Sequence, residues 1–109
     1  MPIHAALSDD GQQLTISVTG RFAFCAHQDF RQAYERAGAP RRYVVDLRDT
    51  EYLDSSALGM LLLLRDHAGG DAADIRIVNC SSDMRRVLSV SNFAQLFQIE
   101  SPAVAQAGC

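Results

Sequence analysis

The sequence predicts an α/β fold: a mixed β-sheet of about five strands, an N-terminal hairpin followed by parallel strands, with about three to four helices. Two observations predict it. Near the N-terminus, apolar and polar residues alternate with period two on the far side of a turn-forming Asp9-Asp10-Gly11. Farther on, short apolar runs alternate with segments of helical periodicity. Such strand–helix–strand repeats imply parallel strands joined by right-handed crossovers. The 109 residues suffice for one compact domain over residues 3–100, with a weakly patterned tail at 101–109.

The elements follow in order. Ile3 to Leu7 is a first strand, and Leu14-Thr15-Ile16-Ser17-Val18-Thr19 alternates strictly, as a strand buried on one face does. Gly20 ends it. Phe30, Ala33, Tyr34 and Ala37 recur at i, i+3, i+4 and i+7, which predicts an amphipathic helix from about His27, closed by Gly38 and Pro40. Arg31, Glu35 and Arg36 fall off that stripe. Tyr43 to Leu47 is nearly continuous in apolar character, as expected of a central strand covered on both sides. After a polar loop, Arg48 to Ser56, the helix that follows Ser56 runs to about Ala68 and stops at Gly69-Gly70. Ile75 to Val78 is a further strand. Ser81 or Ser82 caps a helix carrying Met84, Val87 and Leu88, and a last short strand lies near Leu96 to Ile99.

Composition excludes several functions. A net charge of −3 speaks against a nucleic-acid module, which carries a basic face. The longest apolar run, Met60 to Leu64, is too short to cross a bilayer, and Met1-Pro2-Ile3-His4 does not begin a signal peptide. Cys25, Cys80 and Cys109 are odd in number, widely spaced and form no C-x-x-C. They predict reduced thiols in a cytoplasm rather than disulfides or zinc, with Cys25 as a buried small hydrophobe. Lysine is absent, which removes a Walker A loop and any Schiff-base chemistry. His4, His27 and His67 are scattered, so neither metal nor cofactor is expected.

The most informative stretch is Leu47 to Gly59, LRDTEYLDSSALG. It puts a carboxylate, Asp54, and two hydroxyls, Ser55 and Ser56, at the mouth of the helix that follows. The first N–H groups of a helix lack intrahelical acceptors, and the macrodipole there favours negative charge. Such a serine either caps the helix or carries a phosphate. Asp54 is expected to orient the site, by capping the helix or by holding the loop, and Ser55 to act as a structural cap. An enzymatic reading would make Ser56 a nucleophile. It lacks a G-x-S-x-G elbow and a histidine placed as base, so no catalysis is expected.

The residues from Tyr43 to Ile99 resemble the STAS-domain anti-sigma factor antagonist family. The likeness rests on VVDL (Val44 to Leu47), YLDSSALGM (Tyr52 to Met60), IRIVN (Ile75 to Asn79) and SSDMRRVLSVSNFAQLF (Ser81 to Phe97). Gly20 to Phe22 and Asp29 to Glu35 match more loosely. Two departures stand out: Ala57 where the family usually has glycine, and Ala23 where many members have aspartate. The resemblance implies a single STAS domain that binds an anti-sigma factor when unphosphorylated. A serine kinase, often the anti-sigma factor itself, would modify Ser56, and a serine phosphatase would reset it. Tyr52, Ala57, Met60 and Leu64 are the expected partner contacts, Met60 and Leu64 because the helix is apolar around much of its circumference. The alternative within the family is an accessory subunit or sensor docked constitutively on a transport ATPase or signalling assembly.

Overall fold

A computed structural model of the chain describes residues 3–38, 40–89 and 96–99. Strands β1 (Ile3–Leu7) and β2 (Gln13–Val18) form an antiparallel hairpin in which Leu7 faces Leu14 and Ile3 faces Val18. Its turn is built by Asp10, whose carboxylate accepts from the Ser8 hydroxyl at 2.6 Å and the Gln12 amide at 3.0 Å. Gly11 completes the reversal with a φ of 72°, a left-handed conformation that costs a residue without a Cβ little.

Helix α1 (His27–Glu35) carries the chain over to β4 (Arg42–Asp46), parallel to β2. Helix α2 (Ser55–His67) leads to β6 (Ile75–Val78), parallel to β4, and α3 (Ser82–Leu88) precedes β7 (Gln98–Ile99), parallel to β6. The main sheet therefore has the order β1-β2-β4-β6-β7. The stop after α2 is Gly69, at φ 118°. The expected elements are all present, and the predicted 101–109 tail lies outside the described residues.

Two expectations are corrected. The loop from Arg48 to Ser56 is not all loop, because Thr50–Leu53 forms β5 and pairs in parallel with β3 (Gly20–Phe22) as a separate two-stranded sheet. Gly20 thus opens a strand as well as ending one. Strand β4 is also not covered on both sides. Tyr43 and Val45 are buried, whereas Arg42, Val44 and Asp46, which alternate with them, are half-buried. Strands β2 and β6 repeat this alternation in register, Leu14 beside Tyr43 beside Ile75 and Ile16 beside Val45 beside Ile77. One face of the sheet consequently builds the core and the other stays half-open. A run of apolar residues in a strand does not say which of them point inward, since valine is tolerated on a half-covered face for its β-propensity alone.

The core unites those strand residues with Phe22, Phe30, Tyr34, Leu47, Ala57, Met60, Leu61, Leu64, Met84 and Leu88. Phe22 packs on Phe30 at 5.1 Å between ring centroids, Phe30 on Tyr34 at 5.8 Å, and Tyr34 on the His67 ring at 4.8 Å. This aromatic row links β3, α1 and α2. On the outer side of α1, Arg31 and Glu35 pair at 3.0 Å in solvent, as their place off the apolar stripe predicts.

The thiols divide differently from expectation. Among the described residues, Cys25 is exposed and Cys80 is buried. Cys25 sits in the 3₁₀ turn between β3 and α1, where side chains three apart eclipse: buried Ala23 and Ala26 share one line, and Cys25 falls off it. Burial pushes the Cys80 thiol up to about 11. The folded state then holds the Cys80 proton more tightly than the unfolded state, so its stabilising effect is complete below about pH 9 and disappears as pH rises through about 11. The urea midpoint should fall between pH 9 and 11, and Cys80→Ala should flatten that fall. Burial also raises the phenols of Tyr34 and Tyr43. Their contribution is lost in the same direction at high pH, so the substitution should leave a residual slope.

Candidate functional site

The candidate site is the junction of β5 and α2. Its foundation is polar pairing that joins the carboxyl ends of the strands. Asp46, at the end of β4, accepts from the Arg48 amide at 2.9 Å and from the side-chain amide of Asn79 at 2.9 Å. Asn79 closes β6 with a φ of 58°, a left-handed conformation that asparagine tolerates better than most residues. Thr50 is buried, and its hydroxyl donates to the Val18 carbonyl at 2.7 Å. With the Gly20 amide donating to the Asp49 carbonyl at 2.9 Å, this bond ties the start of β5 to the end of β2. Sequence reasoning missed both anchors. The only signal for them was a threonine in a polar loop opposite a Gly-Arg-Phe segment.

Asp54 follows β5 with extended backbone, φ −120° and ψ −173°, and caps α2. Its Oδ1 accepts from the Ser56 amide at 2.9 Å and the Ala57 amide at 3.2 Å. The choice between capping and loop-holding is therefore decided in favour of capping. Ser55, expected as a cap, is instead the first helical residue and is exposed, while Ser56 follows it half-buried. A carboxylate one residue earlier already satisfies the amides a serine would have served, so the cap does not consume either hydroxyl. Asp54→Ala should lower stability by about 1 kcal/mol, within a range of roughly 0.5–2 kcal/mol, and should do so without abolishing folding. Chemical denaturation measures it.

Tyr52 lies on the surface beside the site, 46 % exposed, with the Arg21 guanidinium 5.0 Å from its ring centroid. Arg21 and Tyr52 are register partners across β3 and β5, which explains the contact. The other three expected partner contacts are placed elsewhere. Ala57, Met60 and Leu64 are 0 %, 3 % and 0 % exposed and belong to the core. The apolar side chains that α2 exposes are Leu62 and Leu63. The inward stripe is 57, 60, 61 and 64, a 3.6-residue repeat, but a helix apolar almost all round hides which phase of it turns inward. At the family's departures, both alanines are buried: Ala57 fills core under the first turn of α2, and Ala23 precedes the 3₁₀ turn.

Gly59 is exposed on the same outer side of α2. A Cβ added there meets nothing within 4 Å, and its backbone is ordinary right-handed helix. A glycine in a helix interior costs about 0.5–1 kcal/mol relative to alanine, and nothing inside the domain requires this one.

No group of His, Cys, Asp and Glu suited to a metal ion occurs among the described residues. No helix among them is long and apolar enough to cross a membrane.

Residues 5–99 match the family described as "Mlab, STAS domain". The chain belongs to the STAS-domain family. A STAS-domain containing protein of Pseudomonas aeruginosa (strain UCBPP-PA14) is 66% identical over 100 residues, which is 91% of this chain and 99% of that protein. Among solved structures, an anti-sigma factor antagonist from Mycobacterium paratuberculosis superposes with a TM-score of 0.74 at 22% identity, covering 90% of this chain and 85% of that one. The phosphorylated form of the Bacillus cell fate determinant SpoIIAA gives a TM-score of 0.70 at 18% identity, covering 97% of each chain. A sulfate transporter family protein from Wolinella succinogenes gives 0.73 at 13% identity, covering 94% of this chain and 88% of that one. At these identities the structural likeness is one of fold. In this STAS domain the β5–α2 junction stands where the family resemblance places its serine motif.

Proposed function

We propose that this STAS domain is an anti-sigma factor antagonist that works by partner switching. Unphosphorylated, it binds an anti-sigma factor; a serine kinase phosphorylates Ser56 and ends that binding; a serine phosphatase restores it. The observation that carries the reading is the Asp54 cap. It leaves two adjacent hydroxyls on the first turn of α2 that the helix does not need, on a fold shared with an antagonist and with a protein solved in a phosphorylated form. Modification adds about −1.5 to −2 charges and three acceptor oxygens. The helix N-terminus offsets part of that charge for the fold, whereas an interface packed around a hydroxyl has nothing to offset it.

A second reading is favoured by the likeness to the sulfate transporter family protein: constitutive docking on a transport assembly, with no phosphate cycle. Phosphopeptide analysis of the protein recovered from its own cells, wild type against Ser56→Ala, separates the two. A phosphate on Ser56 that the variant lacks is expected. An unmodified Ser56 under all growth conditions would overturn the switch and leave constitutive docking.

A further inference from the structure

The outer face of α2 has a definite order. Ser55 and Ser56 stand on its first turn, Gly59 three residues after Ser56, and Leu62 and Leu63 three and four residues after Gly59. That spacing puts them along one side of the helix, with Gly59 about 4.5 Å along the axis from Ser56 and Leu63 roughly 6 Å beyond. Leu62 and Leu63 are 42% and 51% exposed, and Asp66, also exposed, follows one turn further along α2. Between the hydroxyls and the leucines, Gly59 leaves a notch that neither its backbone conformation nor any neighbour explains.

We infer that Gly59 is the point of closest approach for the serine kinase that modifies Ser56, and that its missing side chain lets that kinase seat. This rests on the phosphoswitch reading. A phosphoryl donor must come within about 3–3.5 Å of the Ser56 hydroxyl. The position one turn along the same face therefore lies beneath the enzyme. A methyl group there would hold the enzyme off, and a misplacement of about 1 Å at a transferring group costs on the order of a hundredfold in rate. The leucines supply an apolar landing beyond the notch.

The test uses the full chain, wild type, Gly59→Ala and Gly59→Gln, each incubated with Mg²⁺ and ATP in desalted lysate of the source cells. Ser56 phosphate is followed by intact mass and peptide mapping, and thermal unfolding is measured in parallel. Gly59→Ala should raise the melting midpoint by about 2–6 °C while slowing Ser56 phosphorylation at least about tenfold, with Gly59→Gln slower still. Equal phosphorylation rates with a raised midpoint would overturn the inference and leave the switch intact, and a change confined to self-association would assign the notch to a second copy instead. A lowered midpoint would show that the domain itself needs Gly59, which also overturns it. Wild-type protein that gains no Ser56 phosphate would overturn the switch reading, and this inference with it.

Discussion

Leu64→Ala should destabilise the domain by about 2–5 kcal/mol, whereas Leu63→Asp, one residue away, should change stability by no more than about 0.5 kcal/mol. Leu64 is 0 % exposed and belongs to the core beside Leu61 and Met60, so truncation loses its transfer free energy and leaves a cavity. Leu63 is 51% exposed, and a charge there remains in water. Urea titration of both variants measures the contrast. The anti-sigma factor proposed as partner should respond in the opposite order. Leu63→Asp should weaken its binding about tenfold or more, equivalent to about 1.4 kcal/mol, while Leu64→Ala should change affinity little once the population folded is accounted for. Comparable destabilisation by the two substitutions would contradict the packing of α2 described above.

Ser56→Asp should weaken the complex with the anti-sigma factor about a hundredfold, equivalent to about 2.8 kcal/mol, with Ser56→Ala close to wild type. Aspartate adds a single negative charge, less than a phosphate, so phosphorylated protein should bind more weakly still. The fold should hardly notice. A carboxylate in the first turn gains about 0.3–1 kcal/mol from the helix dipole, and the nearby Asp54 carboxylate, already accepting from the Ser56 and Ala57 amides, opposes it. A melting midpoint within a few degrees of wild type is expected. Calorimetric titration with the anti-sigma factor gives the affinity, and differential scanning calorimetry gives the stability. Equal affinity for Ser56→Asp and Ser56→Ala would remove the switch and favour constitutive docking.

The candidate site was legible in the sequence to the level of the motif. Asp-Ser-Ser followed directly by an apolar run marks a helix start whatever surrounds it, because capping is satisfied within three residues. Which of the three caps was not legible. Asp54 and Ser55 are both good cap residues, and β5 sets the choice by delivering extended backbone up to Asp54. The anchors beneath the site were equally hidden. Thr50 reaches Val18, and Asn79 reaches Asp46, across more than thirty positions of chain.

By itself, then, the sequence determined the order of the helices and of the main-sheet strands, the parallel crossovers, the helix start at the serine motif and the family. Each of these follows from local periodicity, turn chemistry or short contiguous motifs. Tertiary structure alone decided that β3 and β5 pair, that one face of the sheet stays half-open, and that α2 buries Met60 and Leu64 while showing Leu62 and Leu63. The physical reason is common to all three. An apolar residue is drawn out of water by area, without regard to direction, so where several compete the winner is set by the neighbours that the rest of the fold brings to it.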